Sequence, residues 1–179
     1  MKIYLAGKIT KTDDWRGAIL GPHRPGSMVV GSEDWRWHAQ KLTIFGEHDY
    51  TGPFFMSCDH GCAHGPTSHG VGAGGVDLCG TEPAKREEVI ARCMVAIQES
   101  DLLFAYLTSP DAYGTLVEMG YARGHGVDVA VAWPPSFDIH EMWFARDIAT
   151  YVAGPFVDPA IGLRLAIGTT LRRRSLRRG

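Results

Sequence analysis

Residues 102–107, LLFAYL, form an uninterrupted apolar run bounded by Asp101 and by Thr108-Ser109-Pro110. A run of this length between turn signals reads as a strand buried on both faces. The turn that follows is built from Ser109, Pro110, Asp111 and Gly114, residue types that favour tight turns. Thr115 then opens a helix that carries Glu118 one turn in and stops near Gly124 and Gly126. A second apolar run, Val127–Trp133, is closed by Pro134 and Pro135. Strand, helix and strand joined by short connections make a βαβ unit, which demands a parallel sheet with a helical crossover. The chain is thereby confined to the α/β class. Glu118 is placed beyond the carboxyl end of a strand, the side on which open α/β sheets bind their ligands.

The rest of the chain is read around that unit. Residues 2–7, KIYLAG, form a first strand ended by Gly7. Asp13 or Asp14 caps a short helix over Trp15–Leu20, and residues 21–36 are loop or a strand near Met28–Val30. Lys41–Phe45 is a strand candidate. Residues 46–80 form a long irregular loop dense in Gly, His and Cys, a length that is usually functional or disordered. Thr81 is an N-cap with Glu82 and Pro83 in the first turn. Its helix sets Ile90, Cys93, Met94 and Ile97 on one face. A helix near His140–Ile148, a strand near Thr150–Phe156 and a final helix started by Asp158-Pro159 complete the chain, and no internal repeat is present. The expected architecture is one three-layer α/β domain over residues 1–170, with about five parallel strands. A basic tail over residues 171–179 follows it.

Composition narrows the class further. A chain of 179 residues is long enough for one domain with a full core. Hydrophobic residues at 45% and charged residues at 21% are ordinary for a soluble globular protein. The net charge of −2 weighs against a general nucleic-acid binder. Arg172, Arg173, Arg174, Arg177 and Arg178 read as a solvated, partly disordered tail rather than a nucleic-acid arm. No apolar run approaches the ~20 residues of a membrane span. The opening segment passes directly into a strand, so no secretory signal is expected. Four cysteines are too few for a disulfide scaffold in a chain of this length. A cytoplasmic protein with no membrane partner is the expectation.

Glu118 is the leading chemical candidate. Near a helix start the macrodipole favours its ionised form, and an ionised carboxylate facing a cleft suits attack on an acetal-like carbon. A surface glutamate would also sit well there. Small Gly114 and Gly120, apolar Leu116 and Met119, and the second acid Asp111 favour the cleft. Asp111 reads equally as the acid or hydrogen-bonding group for a leaving group and as a turn residue after Pro110. Asp101, at the strand's start, reads first as a turn or cap residue and second as a substrate contact. The block Cys58–Gly70, CDHGCAHGPTSHG, holds zinc-type ligands at Cys58, His60, Cys62 and His64. Its spacing is incomplete, because only Cys79 lies nearby as a distant ligand. A shaped loop over the cleft, with His60 or His64 donating to substrate, is preferred, and no metal or other cofactor is expected. Ala6-Gly7-Lys8 lacks the glycine and hydroxyl residues of a P-loop, and no GxGxxG follows the first strand. Arg16, Arg24 and Arg36 fall in loops near the first strands and read as surface charge rather than as phosphate ligands.

The segment Lys2–Gly7 and the stretch from Ser100-Asp101 through Gly114-Thr115-Leu116-Val117-Glu118-Met119-Gly120-Tyr121-Ala122 together resemble the nucleoside 2-deoxyribosyltransferase family. The resemblance covers the two ends of a catalytic core. It implies a flavodoxin-like sheet, cleavage of an N-glycosidic bond without a cofactor, and a nucleoside or nucleotide substrate. Glu118 matches the family's nucleophilic glutamate and Tyr4 the tyrosine that positions it. Gly7, Asp101, Gly114 and Thr115 fall among the matching positions around the substrate. Asp111 lies one residue out of register with the aspartate that contacts the base. Where the family carries a further acid, this chain holds Arg92 and Cys93. The resemblance also implies a homo-oligomer, with Met142 and Trp143 in the region that completes a neighbour's site. Pro110–Glu118 looks in addition like the PGGxGTxxE signature of the cytokinin-activating phosphoribohydrolases, but Asp111 and Ala112 replace its two glycines.

Overall fold

The computed structural model describes residues 1–8, 15, 16, 19, 41–42, 48–53, 86–177 and 179, with backbone alone at 41–42 and 86–89. In chain order these form β1 (Lys2–Ala6), β2 (Lys41–Leu42), β3 (His48–Gly52), α1 (Arg86–Gln98), β4 (Leu102–Tyr106), α2 (Tyr113–Gly124) and β5 (Asp128–Trp133). A 3₁₀ turn (Ile139–Met142), α3 (Trp143–Ile148), β6 (Tyr151–Pro155) and α4 (Pro159–Arg177) complete them.

The described strands form one six-stranded sheet in the order β2-β3-β1-β4-β5-β6. The pairs β3–β1, β1–β4, β4–β5 and β5–β6 are parallel, and only β2 runs antiparallel, at the edge. Leaving β2 aside, the parallel strands lie in the order second, first, third, fourth, fifth. This is the flavodoxin-like winding, and it reverses direction between β1 and β4. Connections leave β1 toward one edge and return on its other side.

Two apolar clusters lie on opposite faces of the sheet, as the alternation of side chains along each strand requires. On one face Tyr4, Ala6, Leu103 and Ala105 meet Ala96 and Ile97 of α1, Met119 and Ala122 of α2, and Met142 and Ala145 around α3. On the other, Ile3, Leu5, Phe104 and Ala130 meet Leu163, Ala166 and Ile167 of α4, with Ile19. Helices thus cover both faces, which gives the three-layer α/β architecture. β4 and β5 are buried at every position, as runs covered on both sides must be.

Several boundaries differ from the sequence-based expectation. β3 falls inside the stretch expected to be irregular. His48, Tyr50 and Gly52 face inward while Asp49 and Thr51 do not, a short alternation that turn-rich flanks conceal. Helix α2 starts at Tyr113 rather than Thr115. Ala112 occupies its N-cap without a side-chain bond, because the nearby Asp111 carboxylate is taken by Lys8 and Ser109. Ile90 of α1 is exposed, although it shares the spacing of the buried Ile97. Residues 171–177 are helical and continue α4, and most of them are exposed to solvent, so the expected solvated segment is an ordered helix end. Arg173 donates to the Thr150 carbonyl at 3.2 Å, and Arg174 pairs with Asp101 at 2.5 Å. No helix among the described residues is long and apolar enough to cross a membrane. The expected strand near Met28–Val30, the cap at Thr81 and half of the expected Trp15–Leu20 helix (residues 17, 18 and 20) lie outside the described residues.

Candidate functional site

Tyr4 lies near the middle of β1, with its side chain in the layer between the sheet and helices α1 and α2. It is fully buried, so its hydroxyl needs a partner inside the protein. The partner is Glu118: Tyr4 Oη donates to Glu118 Oε1 at 2.6 Å, joining positions 114 residues apart. Burial, then the neighbouring charges of Glu118 and Cys93, push the Tyr4 hydroxyl well above its ordinary value. Tyr4 therefore keeps its proton and remains the donor. Cys93 of α1 shares this hydroxyl, in the segment where a further acid was sought by resemblance.

Glu118 sits in the second turn of α2, and no acid occupies the first. Its residue is half-buried and its carboxyl is turned toward Tyr4. Removal from water raises its pKa from 4.5 to about 7, against the opposing effects of the Tyr4 hydrogen bond and the Arg16 charge. Burial thus outweighs the expected preference of the helix start for the ionised form. Desolvation acts on the whole charge, whereas the dipole fades beyond the first turn. The result is a carboxyl that exchanges its proton near neutrality, a property concentrated at functional sites.

The loops after β1 and β4 are tied together over the strand ends. Lys8 Nζ lies 2.7 Å and 2.9 Å from the two carboxylate oxygens of Asp111, and Ser109 Oγ also donates to Asp111. The Lys8 bond and the Ser109 bond lower the Asp111 pKa. An ionised, salt-bridged aspartate is an acceptor, which weighs against the proton-donor alternative for Asp111 and leaves the hydrogen-bonding and turn-residue alternatives open. No local sequence pattern marks Lys8, since Ala6-Gly7-Lys8 lacks the rest of a P-loop. Its juxtaposition with Asp111, 103 residues away, is a tertiary event.

Gly7 is pressed against its surroundings. A Cβ there would lie 2.8 Å from Trp15 Nε1 and 2.9 Å from the Tyr106 carbonyl oxygen. Gly114, in the first turn of α2, faces open space, and Thr115 beside it is buried. The other expected residues separate. Asp101 stands at the opposite, amino-terminal end of β4, where Lys2 N donates to it at 2.7 Å and Arg174 pairs with it. That placement corrects its reading as a substrate contact to a structural one. Met142 is buried in its own core cluster, whereas Trp143 is 59% exposed. Arg16, expected to be surface charge, is only 2% exposed. His60 and His64, the alternative metal set Cys58, His60, Cys62 and His64, and Arg24 and Arg36 lie outside the described residues. Among the described residues, no group of three or more His, Cys, Asp or Glu side chains is placed to hold a metal ion.

Compared with protein-family models, with curated proteins and with solved structures, the chain matches none. The functional reading therefore rests on the residues themselves.

Proposed function

We propose that the chain is an enzyme that cleaves the N-glycosidic bond of a nucleoside or nucleotide by double displacement at the anomeric carbon, with Glu118 as nucleophile. The observation that carries the reading is the Tyr4–Glu118 hydrogen bond at 2.6 Å beside the point where the sheet reverses direction. Tyr4 occupies Oε1 and turns the carboxylate, leaving Oε2 for attack. In the first step Oε2 bonds to the anomeric carbon and the carbon–nitrogen bond breaks. Its electron pair departs with the base, which takes a proton from solvent. In the second step an acceptor nitrogen or water attacks the same carbon and gives up its proton to solvent, the glycosyl ester breaks, and Glu118 regains its charge. Two inversions retain the anomeric configuration. The Lys8–Asp111 pair is placed to meet polar groups of the base or sugar. A base as acceptor makes the enzyme a nucleoside 2-deoxyribosyltransferase, as the sequence resemblance suggests; water makes it an N-glycohydrolase. A cytoplasmic location and a homo-oligomeric assembly belong to the same proposal.

The test is incubation of the protein with a deoxynucleoside and a different free base. Base exchange identifies a transferase and free sugar a hydrolase. Mass spectrometry is expected to locate a pentose adduct on the peptide containing Glu118. Full activity in both Glu118→Ala and Glu118→Gln would overturn the mechanism.

A further inference from the structure

Two side-chain links join the same two segments of the chain. The inner one is neutral: Tyr4 of β1 donates to Glu118 of α2 at 2.6 Å. The outer one is ionic: Lys8, just past the end of β1, holds both carboxylate oxygens of Asp111, at 2.9 Å and 2.7 Å. Asp111 in turn lies just before the start of α2. Lys8 is at most about 14 Å of chain beyond Tyr4, and Tyr113 is about 8 Å of helix before Glu118. The middle of α2 is anchored in the core by Met119 and Ala122. Its start lacks the usual fastenings: the N-cap Ala112 makes no side-chain bond, the first turn holds no acid, and Tyr113 is exposed. The Leu116 amide reaches the Ala112 carbonyl only at 3.3 Å. The side-chain bonds found at this start are those of Asp111, with Lys8 and with Ser109.

An exposed ion pair is usually worth little, because two mobile side chains must be ordered to make it. Lys8 and Asp111 are 40% and 53% exposed, but both stand on fixed backbone. Gly7, beside Lys8, packs so closely on the end of β4 that a Cβ would lie 2.9 Å from the Tyr106 carbonyl oxygen. Ala112, beside Asp111, is buried, and Ser109 holds the Asp111 carboxylate from its own loop. We propose that Lys8 and Asp111 are a positioning pair: their bridge sets the start of α2 against the end of β1 and thereby keeps the Glu118 carboxyl on the Tyr4 hydroxyl. The inner bond is sensitive to such a setting, since a withdrawal of the carboxyl by roughly 1 Å takes it out of hydrogen-bonding range. The effect of the pair on turnover rests on the reading of Glu118 as the nucleophile; its effect on the carboxyl does not.

The decisive measurement is the titration of the Glu118 carboxyl, followed by ¹³C NMR of the Glu-labelled protein, with Glu118→Gln identifying the signal. It is made in Lys8→Met, in Asp111→Asn and in the charge-exchanged double variant Lys8→Asp with Asp111→Lys. Acting through space alone, loss of the cation raises the Glu118 pKa and loss of the anion lowers it. Acting through position, both losses loosen the Tyr4 bond that favours the carboxylate, and both raise it. A rise of at least about half a unit is expected in each single variant, with a return to within about 0.3 unit of the parent in the exchanged pair. From a starting value of about 7, such a rise halves the ionised fraction at pH 7, so kcat/KM there is expected to fall at least about two-fold in both single variants. A Glu118 pKa that falls or stays put in Asp111→Asn overturns the proposal. So does an exchanged pair that titrates like the single variants. The titration needs no turnover: a rise in both variants of a protein that turns nothing over would sink the enzymatic reading and leave the positioning pair standing.

Discussion

At the scale of single residues, the desolvated Glu118 carboxyl makes stability depend on pH. Its carboxyl binds a proton more tightly in the folded chain than in the unfolded one, so it stabilises the fold fully below its ordinary value of 4.5 and loses that contribution as pH rises to about 7. Above that, a desolvated charge is carried at a cost. Glu118→Gln is therefore expected to be more stable than the parent by about 2 kcal/mol at pH 8, after allowance for partial exposure, and equal to it at pH 4. Thermal unfolding at the two pH values checks this. The same variant is expected to lose at least about 10³-fold in kcat, since its amide cannot form the glycosyl ester. For the parent, kcat/KM is expected to climb through about pH 7 and level off above it, because the nucleophile must be deprotonated. A profile that falls instead would make Glu118 an acid. Tyr4→Phe removes the bond that turns and favours the carboxylate; its profile is expected to move to higher pH, with at least about ten-fold lower activity at pH 7. The sequence singled out Glu118 as a carboxylate beyond a strand, and Tyr4 only through the family resemblance. That they touch across 114 positions was not legible in it, because no local pattern encodes a contact between β1 and α2.

At the scale of elements, two glycines of the expected site have opposite meanings. Gly7→Ala drives a methyl group into the Tyr106 carbonyl oxygen and the Trp15 ring at under 3 Å. The carbonyl belongs to a central strand and cannot yield, so a loss of about 2–3 kcal/mol is expected in denaturant unfolding. Gly114→Ala meets nothing within 4 Å and lies in a helix. It is expected to leave stability unchanged or raise it by up to about 1 kcal/mol. A rise in KM in that variant would mark Gly114 as a place where substrate passes close to the backbone. The apolar runs of β4 and β5 and the turn signals around α2 made these elements readable from sequence, since strands covered on both faces carry no polar interruptions. β3 was hidden because its five residues include Asp49, Thr51 and Gly52, and its strand character comes from pairing with β1 rather than from propensity.

At the scale of the whole molecule, the two ends of the sheet have separate tasks. The carboxyl end holds Tyr4, Glu118, Lys8 and Asp111, while the amino end is held by Asp101, which links Lys2 N of β1 and Arg174 of α4. Partial burial raises the Asp101 pKa, but the Lys2 N–H and the Arg174 guanidinium outweigh it and lower the value. Its contribution to stability is thus present above its ordinary 3.8 and is lost as pH falls through the lowered folded value. Asp101→Asn is expected to cost about 1 kcal/mol at neutral pH, less in high salt, and to leave kcat/KM unaltered. Unfolding curves at low and high ionic strength, beside steady-state kinetics, separate the two ends. A large loss of activity with unchanged stability would return Asp101 to the site.

What the amino-acid order determined by itself was the class of architecture and the identity of its acid. Periodicity and turn chemistry are local, and together they compel a parallel α/β sheet with Glu118 beyond one strand. Only the tertiary structure decided the state of that acid, the ionised and bridged form of Asp111, the structural place of Asp101 and the burial of Arg16. Each of these depends on which groups are brought together and shielded from water. A proton's affinity and a buried charge answer to that surrounding, which the chain acquires only on folding.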